Sequence, residues 1–164
     1  MKTRIKIYLD TSALNFLFAD DAPEKKEITL DFFENFIKTG IYQAFISDFV
    51  IQEINQTSDL EKRGRLLRVL DEYYIERLVL ADPEEIMQLA KLYIDQKVVP
   101  QNKLLDALHI ASTVVNKIDY LVSWNYKHLA NVNRERKVII VNTENNYLNP
   151  VRILTPIELI DYGS

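Results

Sequence analysis

Apolar and polar residues alternate at the start of the chain. Ile5, Ile7 and Leu9 interleave with Lys6 and Tyr8, and the run stops abruptly on Asp10, Thr11 and Ser12. This period of two predicts a sheet strand, and Ala13 to Phe18 reads as the start of a helix after it. Glu24 to Thr39 carries Ile28, Phe32, Phe33, Phe36 and Ile37 on one stripe, which predicts a helix opened by Pro23 and closed by Gly40. Ile41 to Ser47 returns to strand character. Ser47 is an N-cap residue for a helix from Asp48 to about Thr57, with Ile46 and Ile51 placed as a hydrophobic staple.

The same reasoning predicts a helix over Leu60 to Tyr74, a third strand over Arg77 to Ala81, a helix from Pro83 to about Gln96 and another from Lys103 to Lys117. Tyr120 to Ser123 reads as a fourth strand and Val138 to Asn142 as the last. Thr155-Pro156-Ile157-Glu158 resembles a helix start. The order β-α-α-β-α-α-β-α-α-β-β puts helices between strands, which calls for an α/β fold with a mostly parallel sheet covered on both faces.

Five residues stand where chemistry could sit. Asp10 ends the first strand, and in a parallel sheet ligands bind beyond the C-terminal strand ends. Capping the next helix is the competing role for it. Glu53 lies at the edge of the buried stripe of its helix, a position equally suited to an ordinary exposed glutamate. Asp106 interrupts the apolar run Leu104 to Leu108, and a carboxylate among leucines is costly to bury unless paired or metal-bound. His109, three residues on, shares its helix surface, where a structural histidine is the commoner outcome. Asn125 follows the fourth strand, as a ligand-facing or a turn residue.

Composition narrows the chemistry. A chain of 164 residues suits one domain, 1–164, and no apolar run approaches the ~20 residues that span a bilayer. No secretory signal is visible, so a cytoplasmic, non-membrane protein is expected. With no cysteine, a metal would have to sit on carboxylates, amides, hydroxyls or the two histidines, which favours Mg²⁺ or Mn²⁺. A net charge of −4 argues against binding nucleic acid by net charge but leaves two local basic clusters. These are Lys62, Arg63, Arg65 and Arg68, and Lys127, His128, Arg134, Arg136 and Lys137. Glycine is scarce, and no phosphate-cradling glycine loop is present.

Tyr8-Leu9-Asp10-Thr11-Ser12, Ser47 with Val50 and Glu53, Asp106-Ala107-Leu108-His109-Ile110-Ala111 and Asp119-Tyr120-Leu121-Val122-Ser123-Trp124-Asn125 together resemble the PIN-domain family. Its members are Mg²⁺- or Mn²⁺-dependent ribonucleases, best known as the VapC-like toxin half of bacterial toxin-antitoxin pairs. The resemblance spans nearly the whole chain. It implies a three-layer PIN-like fold with about five strands. It also implies an endoribonuclease using Asp10, Glu53, Asp106 and Asn125, with metal on Asp10, Glu53 and Asp106 and Ser12 supporting the first. RNA is the implied substrate, Arg63, Arg65 and Lys127 are candidates to position its backbone, an antitoxin protein is the implied partner, and a homodimer is expected from the resemblance alone. The departure is Asn125, where many members carry a fourth Asp; an amide brings no charge. That motivates an alternative, a catalytically weak PIN-like module binding RNA or protein. A phosphotransferase with Asp10 as nucleophile ranks lower, because the second Asp expected two residues on is Ser12.

Overall fold

The computed structural model describes residues 4–79 and 82–160. A five-stranded sheet in the order β3-β2-β1-β4-β5 runs through it, every neighbouring pair parallel. The strands are β1 (Ile5–Leu9), β2 (Tyr42–Ile46), β3 (Glu76–Arg77), β4 (Tyr120–Val122) and β5 (Arg152–Leu154). Ile7, Tyr8 and Leu9 are all fully buried. Successive strand residues point to opposite faces, so both faces of β1 must be covered. The helices that cover them are α1 (Thr11–Asn15), α2 (Pro23–Phe32), α3 (Asp48–Asn55), α4 (Leu60–Glu72), α5 (Pro83–Asp95), α6 (Leu104–Val115), α7 (Val132–Glu144) and α8 (Pro156–Ile160). The α/β architecture with a central parallel sheet of five strands is therefore present as expected from the sequence.

Local chemistry sets the boundaries. Pro23 opens α2, which passes into a π-helical turn over Phe33–Ile37, and Gly40 closes it with a φ of +82°, a conformation that costs glycine least. The Ser47 side chain caps α3 by accepting from Phe49 N, and Asp82 caps α5 by accepting from Glu85 N.

Two expectations fail at the C-terminal end. Val138 to Asn142 is not a strand but part of α7. Its buried residues, Val138, Val141 and Asn142, fall at i, i+3 and i+4, a helical stripe that four consecutive β-branched residues disguise. The fifth strand is instead β5, only three residues long, in which Ile153 and Leu154 are buried. The order is accordingly β-α-α-β-α-α-β-α-α-β-α-β-α. The third strand is also shorter than expected, and of its predicted span Leu80 and Ala81 lie outside the described residues.

The strand order places β1 at the reversal point. The chain moves outward through β2 and β3 on one side and through β4 and β5 on the other. In such sheets the crevice between the diverging connections, beyond the carboxyl ends of the two central strands, is the default ligand site.

Candidate functional site

Asp10 continues the β1 ladder by one residue, its N–H donating to Val122 O at 3.2 Å, and then turns the chain into α1. Its carboxylate is buried and occupied. Oδ1 accepts from Ser12 Oγ at 2.6 Å and from Ala13 N at 3.1 Å, and Oδ2 accepts from Ser123 Oγ at 2.5 Å. The capping role and the crevice position are therefore compatible, because one oxygen caps α1 while the group as a whole lines the cleft. Burial pushes its pKa above the ordinary 3.8, against the charge of His109 and the three hydrogen bonds.

Glu53 arrives from α3 half-buried, at the edge of that helix's buried face. Its Oε1 accepts from Thr11 Oγ1 at 2.5 Å and pairs with His109 Nε2 at 3.0 Å. Burial raises its pKa, but the hydrogen bond and charge of His109 and the bond from Thr11 outweigh that, and the net shift is downward. Asp106, in the first turn of α6, accepts no hydrogen bond among the described residues. Its pKa is raised by burial first, opposed by His109, His128 and Lys103 and reinforced by Glu53.

Asp10, Glu53 and Asp106 line one cleft of ≈ 220 Å³ together with Ser12 and Asn125. Asp10, Ser12, Glu53, Asp106, His109 and Asn125, singled out from the sequence, are thus brought together, with Thr11 and Asn15 added, while Arg63, Arg65 and Lys127 do not line the cleft. The cleft is not a closed metal cage. Among the described residues no three His, Asp or Glu side chains converge tightly enough to hold an ion by themselves. Asn125 is partly used by its own loop: its Oδ1 accepts from His128 N at 3.1 Å, and its N–H donates to Ser123 Oγ at 3.0 Å. Turn and cleft roles coexist there too.

The structural role expected for His109 is the one it plays, but the partners that hold it beneath the carboxylates were not legible in the sequence. His109 is 2% exposed and sits between Tyr8 Oη, 2.6 Å from Nδ1, and Glu53. Tyr8 Oη also lies 2.6 Å from Ser47 Oγ. An ionised Glu53 can only accept, so Nε2 carries a proton whatever the state of the ring. An uncharged ring then accepts at Nδ1 from Tyr8, which accepts from Ser47; a charged ring reverses those two bonds and leaves Nε2–H on Glu53 unchanged. The histidine is a strut that fixes Glu53. Ser123 was equally invisible, since only the β1–β4 pairing sets it against Asp10. The one available signal was polar character at consecutive strand ends: Ser123 directly precedes the Trp124-Asn125 corner, as Ser12 follows Asp10.

The first basic cluster does not reach this cleft. Arg63 donates to Thr57 O, and Arg65 pairs with Glu61 at 2.7 Å, so both are spent on their own neighbourhood.

No known family model matches the chain, and no curated protein matches it in sequence. Among solved structures it is similar to a chain of the crystal structure of VapBC2 from Rickettsia felis bound to a DNA fragment from their promoter. The TM-score is 0.54 at 11% identity, over 92% of this chain and 98% of that one. The fold is PIN-like. At this identity the similarity shows the fold alone. No helix among the described residues is long and apolar enough to cross a membrane.

Proposed function

We propose that the chain is a divalent-metal-dependent endoribonuclease of the PIN type, acting as the toxin of a toxin-antitoxin pair. The observation that carries this is the convergence of Asp10, Glu53, Asp106 and Asn125, from four separate segments, on one cleft at the strand-order reversal of a PIN-like sheet. The donor set is all oxygen, which suits Mg²⁺ or Mn²⁺. Asp106 accepts no hydrogen bond and Oε2 of Glu53 accepts nothing among the described residues, and Asp10 keeps one of about four lone-pair positions free. A hard cation that retains several waters fits such a donor set, whereas one gripped directly by three side chains does not. Asp10, Glu53 and Asp106 would hold it.

When bound, the cation would acidify a water and take up charge on the scissile phosphate. The residues do the rest. Ser12 and Ser123 hold both oxygens of Asp10 in place, His109 and Thr11 orient Glu53, and Asn125 presents an uncharged amide to the cleft mouth. The VapBC2 complex in which the structural neighbour was seen supports an antitoxin as the partner of this chain, and the same reading makes it cytoplasmic.

The test is cleavage of mixed RNA with and without EDTA. Glu53→Gln should cut the rate about 10–100-fold, with partial recovery in excess Mn²⁺, because the amide keeps the Thr11 contact and loses only charge. A rate equal to wild type would remove Glu53 from the site.

A second reading, a weak or non-cleaving PIN-like module, is favoured by the open spacing of the carboxylates and by the neutral Asn125. Asn125→Asp discriminates. Either carboxylate oxygen can accept from His128 N, so the loop should hold, and the other oxygen adds charge to the cleft. The metal concentration for half-maximal cleavage should fall, with the gain vanishing at saturation. An unchanged metal dependence would confine Asn125 to its loop.

A further inference from the structure

A larger hollow of ≈ 620 Å³ lies between the end of α5 and α7, inside the ~300–1,000 Å³ range of ligand pockets. Lys97, Arg134, Lys137 and Gln101 line it against a single carboxylate, Asp95. Arg134 and Lys137, three apart on α7, share one face of that helix. Arg63, Arg65, Arg77 and Arg152 all have protein acceptors. Arg134 is different: it is half-buried, its Nε–H is buried without an acceptor, and its guanidinium forms no ion pair among the described residues. That Nε–H is shut off from solvent, whereas the terminal guanidinium nitrogens have no acceptor among the described residues and are the groups an anion in the hollow would meet.

Two features relate the hollow to the cleft. Burial lowers the pKa of Arg134, and the charge of Asp106 opposes that. The loop from Asn125 leads directly into α7, with Asn131 capping Arg134 N and donating to Tyr126 O. Lys97 adds a backbone observation. It holds φ at +59°, just after α5, where glycine would sit without strain.

We propose that this hollow binds a phosphate of single-stranded RNA, flanking the bond presented to the carboxylates. The inference rests on the ribonuclease reading for its choice of polymer. A guanidinium fork matches phosphate oxygens, two ammonium groups supply further charge, and Val99 and Pro100 give an apolar wall for sugar or base.

The experiment is fluorescence anisotropy of a short fluorescein-labelled oligouridylate with the full chain in EDTA, across a salt series. Lys97→Gly, Arg134→Gln and Lys137→Gln should each weaken binding about 3–10-fold and reduce the log–log salt slope by about 0.7, the value for one single-strand phosphate contact. Lys97→Gly should do so with an unchanged or higher Tm, since glycine takes that φ freely, so misfolding cannot explain the loss. Arg68→Gln, on the exposed side of α4, should change neither quantity. Wild-type protein that fails to bind, hollow variants that bind like wild type, or an equal loss in Arg68→Gln would overturn the proposal. So would displacement of the RNA by oligoglutamate at equal charge concentration, which would mark the hollow as a site for an acidic protein segment. Binding through the hollow without any Mn²⁺-dependent cleavage would sink the ribonuclease reading and leave the hollow standing; cleavage with unaltered binding in the variants would do the reverse.

Discussion

Asp10→Asn and Asp106→Asn should each lower divalent-dependent RNA cleavage by about two to three orders of magnitude while leaving a folded protein. The size is that of removing one well-placed electrostatic group from an active site. The fold should survive because neither change empties space. In Asp10→Asn the amide oxygen can keep Ser12 and Ala13, and the amide nitrogen can donate to Ser123, whose hydroxyl turns to accept. Asp106 has no hydrogen bond among the described residues to lose. Stability should in fact rise. Burial raises the pKa of both carboxyls above 3.8, so the folded chain takes up these protons more readily than the unfolded chain. The stability linked to that protonation is complete below the unfolded value and is lost as pH rises through the raised folded values. A neutral amide avoids the loss. Thermal melts in EDTA should therefore show Asp106→Asn above wild type at neutral pH, with the gap closing as pH falls toward 3.8. A gap that is independent of pH would refute this electrostatic account, and wild-type cleavage by either variant would take that residue out of the site.

His109→Leu should cost about 2–4 kcal/mol of stability, a fall in Tm of roughly 5–15 °C for a domain of this size. Leucine fills similar space but breaks the bond to Tyr8 and the charge-assisted bond to Glu53, worth about 0.5–1.5 and 1.5–3 kcal/mol. Both partners keep one contact each, Ser47 and Thr11, which limits the damage. Glu53 should lose the main influence that depresses its pKa. A carboxylate with a depressed folded pKa contributes stability above its unfolded value of 4.5 and loses it as pH falls through the folded one. The deficit of His109→Leu should consequently be widest at neutral pH and narrow in acid. Cleavage should fall with it, because Glu53 is no longer held. His109→Gln, which can still donate to Glu53, should recover part of both. If His109→Leu lowers Tm but leaves the pH profile of stability untouched, the strut acts by packing alone.

What the sequence disclosed and what it hid divide along the distance over which a residue acts. The β1 alternation ending on Asp10-Thr11-Ser12, the Ser47 cap and the lone carboxylate in the Leu104–Leu108 run are local signals, each set by propensity, capping or burial cost. They located β1, α3 and α6, and with them Asp10, Glu53 and Asp106. The errors came where a local signal was ambiguous or absent. Val138 to Val141 is β-branched enough to mimic a strand, and only its packing stripe makes it helical. β5 is too short to show a period and exists because Ile153 and Leu154 find β4 beside them. Ser123, Tyr8 and His109 act across chain separations of about a hundred residues, and no spacing rule connects them. The same long-range packing leaves the Arg134 Nε–H without an acceptor among the described residues, which sequence charge alone could not distinguish from the paired Arg63 and Arg65.

The central claim, that four segments build a cleft for a hydrated hard cation, is tested most directly by calorimetric titration of Mn²⁺ into the metal-free chain and into Asp106→Asn. The account predicts saturable binding by the wild type, competed by Mg²⁺, and its loss in the variant. Absence of binding by the folded wild type, or equal binding by both, would contradict it.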